Sequence, residues 1–165
     1  MQIEVDCGRI RHNTESIVGL CVKYGIEVVG VTKSVCGNPD VARAMLAGGV
    51  SMLGESRLSH ILRLREAGIT ANIMILRLPA LSEVEEIVRL TQVSLNSQLE
   101  TVRALSRTAQ AQKIIHRVIL MIETGDRREG VMPENAMSIA RDILSLPNIE
   151  LVGVGANVSC IGGIQ

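Results

Sequence analysis

Short apolar runs alternate along this chain with longer stretches in which apolar positions recur every three or four residues. Gly, Pro, Asn and Asp punctuate the joins. Val28-Val29-Gly30-Val31-Thr32-Lys33 predicts a buried strand, followed by a turn at Gly37-Asn38-Pro39. Pro39 suits the first turn of a helix that runs on through Ala42, Met45 and Leu46, and Gly48-Gly49 stops it. Ser51-Met52-Leu53-Gly54 opens a second strand, and Leu58 to Ala67 has helical spacing that ends at Gly68. A third strand is predicted over Asn72 to Leu78, and Ser82 with Glu85 resembles a capping box for a helix from Glu83 to Leu90. Val93-Ser94-Leu95-Asn96 is a fourth strand, with a helix from about Gln98 to Ala111. Arg117 to Glu123 is a fifth, with a helix from about Glu134 to Leu144, and Glu150 to Ala156 is a sixth. Ahead of them all, Arg9 to Tyr24 reads as a helix ending at Gly25.

Regular alternation of strand and helix predicts an α/β fold of parallel βα units with right-handed crossovers. Such units build a TIM-type (β/α)₈ barrel, which needs roughly 250 residues. The 165 residues here leave room for about six βα units. One expectation is therefore an incomplete barrel over 1–165, with the C-terminal part of the barrel and any second domain outside the chain. A doubly wound open sheet is the competing architecture, and it would be complete at this length. The pattern alone leaves both open, and in both a ligand binds at the carboxyl ends of the strands.

Composition narrows the core and the partners. Hydrophobic residues make up 47% of the chain, yet there is no Phe or Trp and one Tyr, so aliphatic side chains must fill the interior. That suits a parallel sheet covered on both faces by helices. Seventeen basic residues balance seventeen acidic ones, with no basic tract and almost no aromatics to stack on bases. Nucleic-acid binding is therefore not expected. Cys7, Cys21, Cys36 and Cys160 are scattered without a Cys-x-x-Cys pair or a nearby histidine cluster, which predicts reduced thiols and no metal. The start, Met1-Gln2-Ile3-Glu4-Val5-Asp6, lacks the regions of a signal peptide, and no apolar run would span a bilayer. The expectation is a soluble, cytoplasmic protein with no membrane partner.

Lys33 is the first candidate for chemistry, because it ends an otherwise apolar strand. An ammonium held away from water favours its neutral form, a nucleophile suited to imine formation. The alternative is a strand-end lysine reaching into solvent. Thr124-Gly125-Asp126-Arg127-Arg128-Glu129-Gly130 follows the fifth strand, on the same face of the predicted sheet. An arginine there could bond a phenolate or carboxylate oxygen, or the charges could pair among themselves on a solvated turn. Glu55-Ser56-Arg57, Arg77, Asn96-Ser97, and Asn157 with Ser159 place polar residues after the other strands, as a shared site requires. His12, His60 and His116 fall in predicted helical or helix-end positions and read as surface or packing residues. Gly153-Val154-Gly155 is too short for a dinucleotide fingerprint, and Gly162-Gly163 could offer backbone amides to an anion.

Val31-Thr32-Lys33-Ser34-Val35-Cys36-Gly37-Asn38-Pro39, then Gly48-Gly49-Val50 and Met52-Leu53-Gly54-Glu55-Ser56-Arg57, resembles the alanine/ornithine racemase family of fold-type III pyridoxal-phosphate enzymes. Leu76-Arg77-Leu78-Pro79, Ser94-Leu95-Asn96-Ser97-Gln98-Leu99-Glu100-Thr101 and Leu120-Met121-Ile122-Glu123-Thr124-Gly125-Asp126-Arg127-Arg128-Glu129-Gly130 agree in the same order, so the likeness runs from about Ile3 to Gly163. The resemblance favours a barrel of the alanine racemase N-terminal domain kind. It implies a pyridoxal-phosphate-dependent amino acid racemase, an isomerase. Lys33 would hold pyridoxal 5'-phosphate as an internal aldimine and move the substrate α-proton on one face. Arg128 matches the family arginine near the cofactor's phenolic oxygen, and Asn157 falls where related racemases carry a polar residue beneath the ring. Glu55 and Ser97 complete the candidate cofactor-binding set. The implied partners are a small or basic amino acid, such as alanine or ornithine, and a second copy of the chain in a dimer.

Two departures bear on this. Bacterial alanine racemases proper usually follow the lysine with Ala-Asp-Ala-Tyr-Gly, whereas Ser34-Val35-Cys36-Gly37 follows here, so a strict alanine substrate is not implied. The resemblance also places the last strands, most of the phosphate cradle and the second acid/base group outside the chain. The expectation is a portion of a longer enzyme with weakened or no activity alone, whose unfinished barrel exposes two strand edges and favours self-association. Alternatives are a non-catalytic pyridoxal-phosphate-binding homeostasis protein of the same fold, a decarboxylase of related fold, or a half-barrel that binds nothing tightly.

Overall fold

The computed structural model describes residues 4–125 and 128–158. Helix α1 (Cys7–Val22) starts at Asp6, whose carboxylate accepts from the Arg9 amide at 3.0 Å. Strand β1 (Val29–Val31) leads into a 3₁₀ turn at Lys33–Val35 and then helix α2 (Pro39–Ala47). Pro39 sits in the first turn of α2, and the Asn38 side chain caps it by accepting from the amides of Asp40 and Val41. The chain continues through β2 (Met52–Glu55), α3 (Leu58–Glu66), β3 (Ile73–Ile75), α4 (Val84–Leu90), β4 (Val93–Asn96), α5 (Leu99–Gln112), β5 (His116–Ile122), α6 (Pro133–Leu144) and β6 (Ile149–Ala156).

Six strands thus alternate with helices as the periodicity predicts, and they lie in the sheet in chain order, β1-β2-β3-β4-β5-β6. Parallel registers join β1 to β2, β4 to β5 and β5 to β6. A doubly wound sheet reverses its strand order at a switch point, whereas a barrel adds each new strand beside the last. The unbroken order therefore decides for an incomplete TIM-type barrel.

Several local expectations change. The first strand stops at Val31, two residues short of Lys33, which opens the 3₁₀ turn. The third strand covers only Ile73–Ile75, and the run beyond it meets Pro79, which has no N–H for a ladder. The capping box at Ser82 does not form. Ser82 lies inside a 3₁₀ turn, Leu81–Glu83, and Glu83 takes the cap position of α4 without a side-chain bond. His116, expected at a helix end, is the first residue of β5 and is buried.

The described residues group into two compact units, one up to Met74 and one from Ile75. In the first, Gly30 pairs with Leu53 and Val31 with Gly54, and Leu53, Ile61, Leu64 and Ile73 are fully buried. In the second, a β-bulge at Val118/Ile119 shifts the β5–β6 register, and Val102, Leu105, Val118 and Ile143 are fully buried. Burial of such an aliphatic side chain stabilises by about 1.5–3 kcal/mol, so the core is aliphatic, as the composition requires. Among the described residues no helix is long and apolar enough to cross a membrane.

Candidate functional site

Lys33 stands just past the carboxyl end of β1, with its side chain exposed. A buried lysine is thus not what the fold presents. Its ammonium has no hydrogen-bond or ion-pair partner among the described residues. The backbone beneath it is fixed by contrast. The Thr32 carbonyl accepts from the amides of Val35 at 3.2 Å and Gly37 at 3.1 Å, and the Thr32 amide donates to Gly54 O at 3.1 Å. Cys36 and Gly37 follow with φ of 52° and 63°, which turns the chain toward α2.

Glu55, at the carboxyl end of β2, is fully buried. Its Oε1 accepts from Thr32 Oγ1 at 2.8 Å, and its Oε2 accepts from the Ser56 amide at 2.9 Å and meets His60 Nδ1 at 3.0 Å. Sequence reasoning takes Glu55 as a polar group offered to a ligand, yet both oxygens are engaged by neighbouring protein groups. Alternation along β2 puts Glu55 on the face of Leu53, the core face, and that signal was available in the sequence. Thr32 and His60 are the members of this cluster that sequence reasoning missed.

In the second unit, Arg128 and Asn157 converge on one acceptor. Arg128 Nη2 donates to Glu129 Oε1 at 2.9 Å, and Asn157 Nδ2 donates to the same oxygen at 3.2 Å. Arg128 is exposed, Asn157 is half-buried, and the Glu129 side chain is only 12% exposed. Thr124 Oγ1 donates to the Asn157 carbonyl at 3.1 Å. The loop carrying Arg128 is closed at its base by Glu123 N–H to Val131 O and Val131 N–H to Met121 O, each 2.8 Å. Gly130, at φ 131°, permits that closure, because a Cβ there would lie 2.5 Å from the Glu123 nitrogen. Ser97 follows β4 and is half-buried. Asp126, Arg127, Ser159, Cys160 and Gly162-Gly163 lie outside the described residues.

His116 belongs to another cluster. It is 1% exposed, and its Nε2 lies 2.9 Å from Ser94 Oγ, which also accepts from Asn96 Nδ2 at 2.8 Å. Burial pushes its imidazole down to about 4, so at neutral pH it is an uncharged packing group between β4 and β5.

Comparison with known proteins now bears on this arrangement. A family profile described as alanine racemase, N-terminal domain, matches residues 5–163. The chain belongs to that family. This alanine racemase N-terminal domain chain is 34% identical over 164 residues to an ornithine racemase of Acetoanaerobium sticklandii, covering 99% of the chain and 46% of that protein. It is 35% identical over 160 residues to a lysine racemase of Thermotoga maritima, covering 97% of the chain and 44% of that protein. The chain thus spans about half the length of the curated relatives it matches. An alanine racemase structure from Streptomyces lavendulae superposes with a TM-score of 0.82 at 22% identity over 94% of the chain and 42% of that protein, which establishes the shared fold.

Proposed function

We propose that this chain is the lysine-bearing part of a pyridoxal-phosphate-dependent amino acid racemase, with Lys33 as the residue that holds the cofactor and moves the substrate α-proton. The observation that carries the reading is Lys33 itself: an exposed amine without a partner among the described residues, on a fixed turn at a strand's carboxyl end. An amine that must bond an aldehyde and later pass a proton needs a free nitrogen on a firm base, and salt-bridging would cost it both.

The donor set fits the group. A primary amine suits the aldehyde, and the exposed Arg128 guanidinium suits an anionic oxygen. Glu129 orients that guanidinium at 2.9 Å while also receiving Asn157. We assign Asn157 and Ser97 to the same cofactor by their places in the family pattern. Once bound, pyridoxal phosphate supplies the electron sink that makes an amino acid's α-proton acidic. Lys33 Nζ then takes or returns that proton on one face, and the opposite face needs a second acid/base group from a further segment or a second copy. Relatives named for ornithine and lysine, at 34% and 35% identity, support a basic amino acid as substrate ahead of alanine.

Lys23 and Lys113 are the only other lysines, which gives the test an internal control. Purified chain is mixed with pyridoxal phosphate, reduced with borohydride and digested, and the pyridoxyl group is mapped by mass spectrometry. We expect it on Lys33 in large excess over Lys23 and Lys113, with the excess lost in Lys33→Ala. Even labelling of the three lysines would overturn the assignment.

A further inference from the structure

Glu55 is a buried carboxylate, and burying one is costly unless its oxygens are satisfied and the arrangement serves some end. An apolar residue at that place would fill the core as well as Leu53 does on the same face. What the carboxylate adds is a set of ties: one to the amide of its neighbour Ser56, and two that lead to the turn that carries Lys33. One oxygen holds the Thr32 hydroxyl at 2.8 Å, joining residues 23 apart in sequence across the carboxyl ends of β1 and β2. The other holds His60 of α3 at 3.0 Å. His60 in turn backs the turn directly, since a Cβ on Gly37 would lie 2.8 Å from the His60 carbonyl oxygen. One helical turn further along α3, Arg63 Nη1 donates to the Cys36 carbonyl at 2.7 Å. Residues 32–37 are therefore fastened at the start through Thr32 and at the end through Cys36 and Gly37, while the Lys33 side chain between them stays exposed.

We infer that Glu55, acting through Thr32 and braced by His60, is a positioning residue that holds the Lys33 turn so that the amine is presented at the end of β1. This rests on the cofactor role proposed for Lys33. Thr32 and Glu55 act through the backbone, their side chains engaged with each other. They determine where the backbone of Lys33 is, and the four side-chain torsions of the lysine do the reaching. The contribution is pre-organisation, because a turn that samples many conformations loses effective concentration of the amine at the aldehyde.

The test uses the whole chain and two readouts. In the cofactor-free chain, hydrogen exchange at the amides of Val35 and Gly37, both bonded to the Thr32 carbonyl, reports opening of the turn. With pyridoxal phosphate and borohydride, the ratio of label at Lys33 to label at Lys113 reports presentation of the amine. Thr32→Val keeps the shape and removes the hydroxyl, Thr32→Ser keeps the hydroxyl, and Glu55→Gln is the second way of weakening the tie. Loss of one hydrogen bond to a charged group should speed exchange at Val35 and Gly37 by about tenfold, with exchange of the fully buried Ile61 amide unchanged. The label ratio should fall in parallel for Thr32→Val and Glu55→Gln and recover in Thr32→Ser. If the original chain labels Lys33 selectively and Thr32→Val does so equally, the positioning role is wrong and the cofactor role stands. If the original chain shows no selectivity for Lys33, the cofactor role fails and the positioning role goes with it.

Discussion

A histidine that is 1% exposed, with an imidazole pushed down to about 4 by burial, resists protonation that it would accept readily once unfolded. The unfolded chain takes up that proton near pH 6.5, and the folded chain only near pH 4. Between those values the unfolded state binds more protons, so stability is full above about pH 6.5 and falls as the pH drops toward 4. A gap of that size corresponds to on the order of 3 kcal/mol. Urea unfolding of the original chain and His116→Gln at pH 7 and pH 4.5 checks it. The original chain should lose much more stability between the two pH values than the variant does. A parallel loss in both would place the acid sensitivity elsewhere. Lys33 shows the reverse at the same scale. The sequence left open whether Lys33 is held away from water or reaches into solvent, and the exposed side chain decides for the second, since a run of apolar neighbours does not reveal where a strand stops.

The turn from Thr32 to Gly37 is where local pattern and long-range contact meet. Gly37 has φ 63°, and a Cβ there would meet both the carbonyl oxygen and the Cβ of His60 at under 3 Å. Gly37→Ala therefore combines left-handed backbone strain with displacement of α3, and we expect a loss of about 2 kcal/mol or more. Chemical denaturation read by circular dichroism measures it, and a loss below about 0.5 kcal/mol would show that the turn yields freely. The elements themselves were legible because periodicity is local: six strands and their helices were foreseen in order. Their ends were less so. β1 stops at Val31 in a geometry fixed partly by Glu55, 23 residues beyond Thr32, and no window of sequence contains both. The box expected at Ser82 failed because Ala80 accepts from the Glu83 amide and winds the segment into a 3₁₀ turn first. Glu129, the acceptor that brings Arg128 and Asn157 together, was read only as one of several charges on a turn, because the residue it gathers lies 28 positions away.

Sheet order decided the architecture, and the same order says where the molecule is vulnerable. The sequence β1 to β6 has two ends, and the backbone groups along the outer side of β6 meet no further strand among the described residues. Two side chains of that edge strand are apolar and open to solvent: Val152 is 44% exposed and Val154 68% exposed. Natural sheet edges are usually blunted with charge, Pro or a covering element, and β6 has one exposed charge, Glu150, paired with Arg117, followed by two exposed valines. An apolar edge with unpaired N–H and C=O groups is a template for another strand, and a second copy of this chain carries the matching edge. We therefore expect the isolated chain to associate as its concentration rises, with a sedimentation coefficient that climbs over a dilution series. Val154→Lys places a charge on the most exposed of these positions, where the wild-type side chain has little packing to lose. It should shift the series toward monomer while leaving the circular dichroism spectrum and urea midpoint of the monomeric species unchanged. If both chains sediment as monomers at every concentration, the β6 edge is already covered, and association across it has no part in the assembly of this protein.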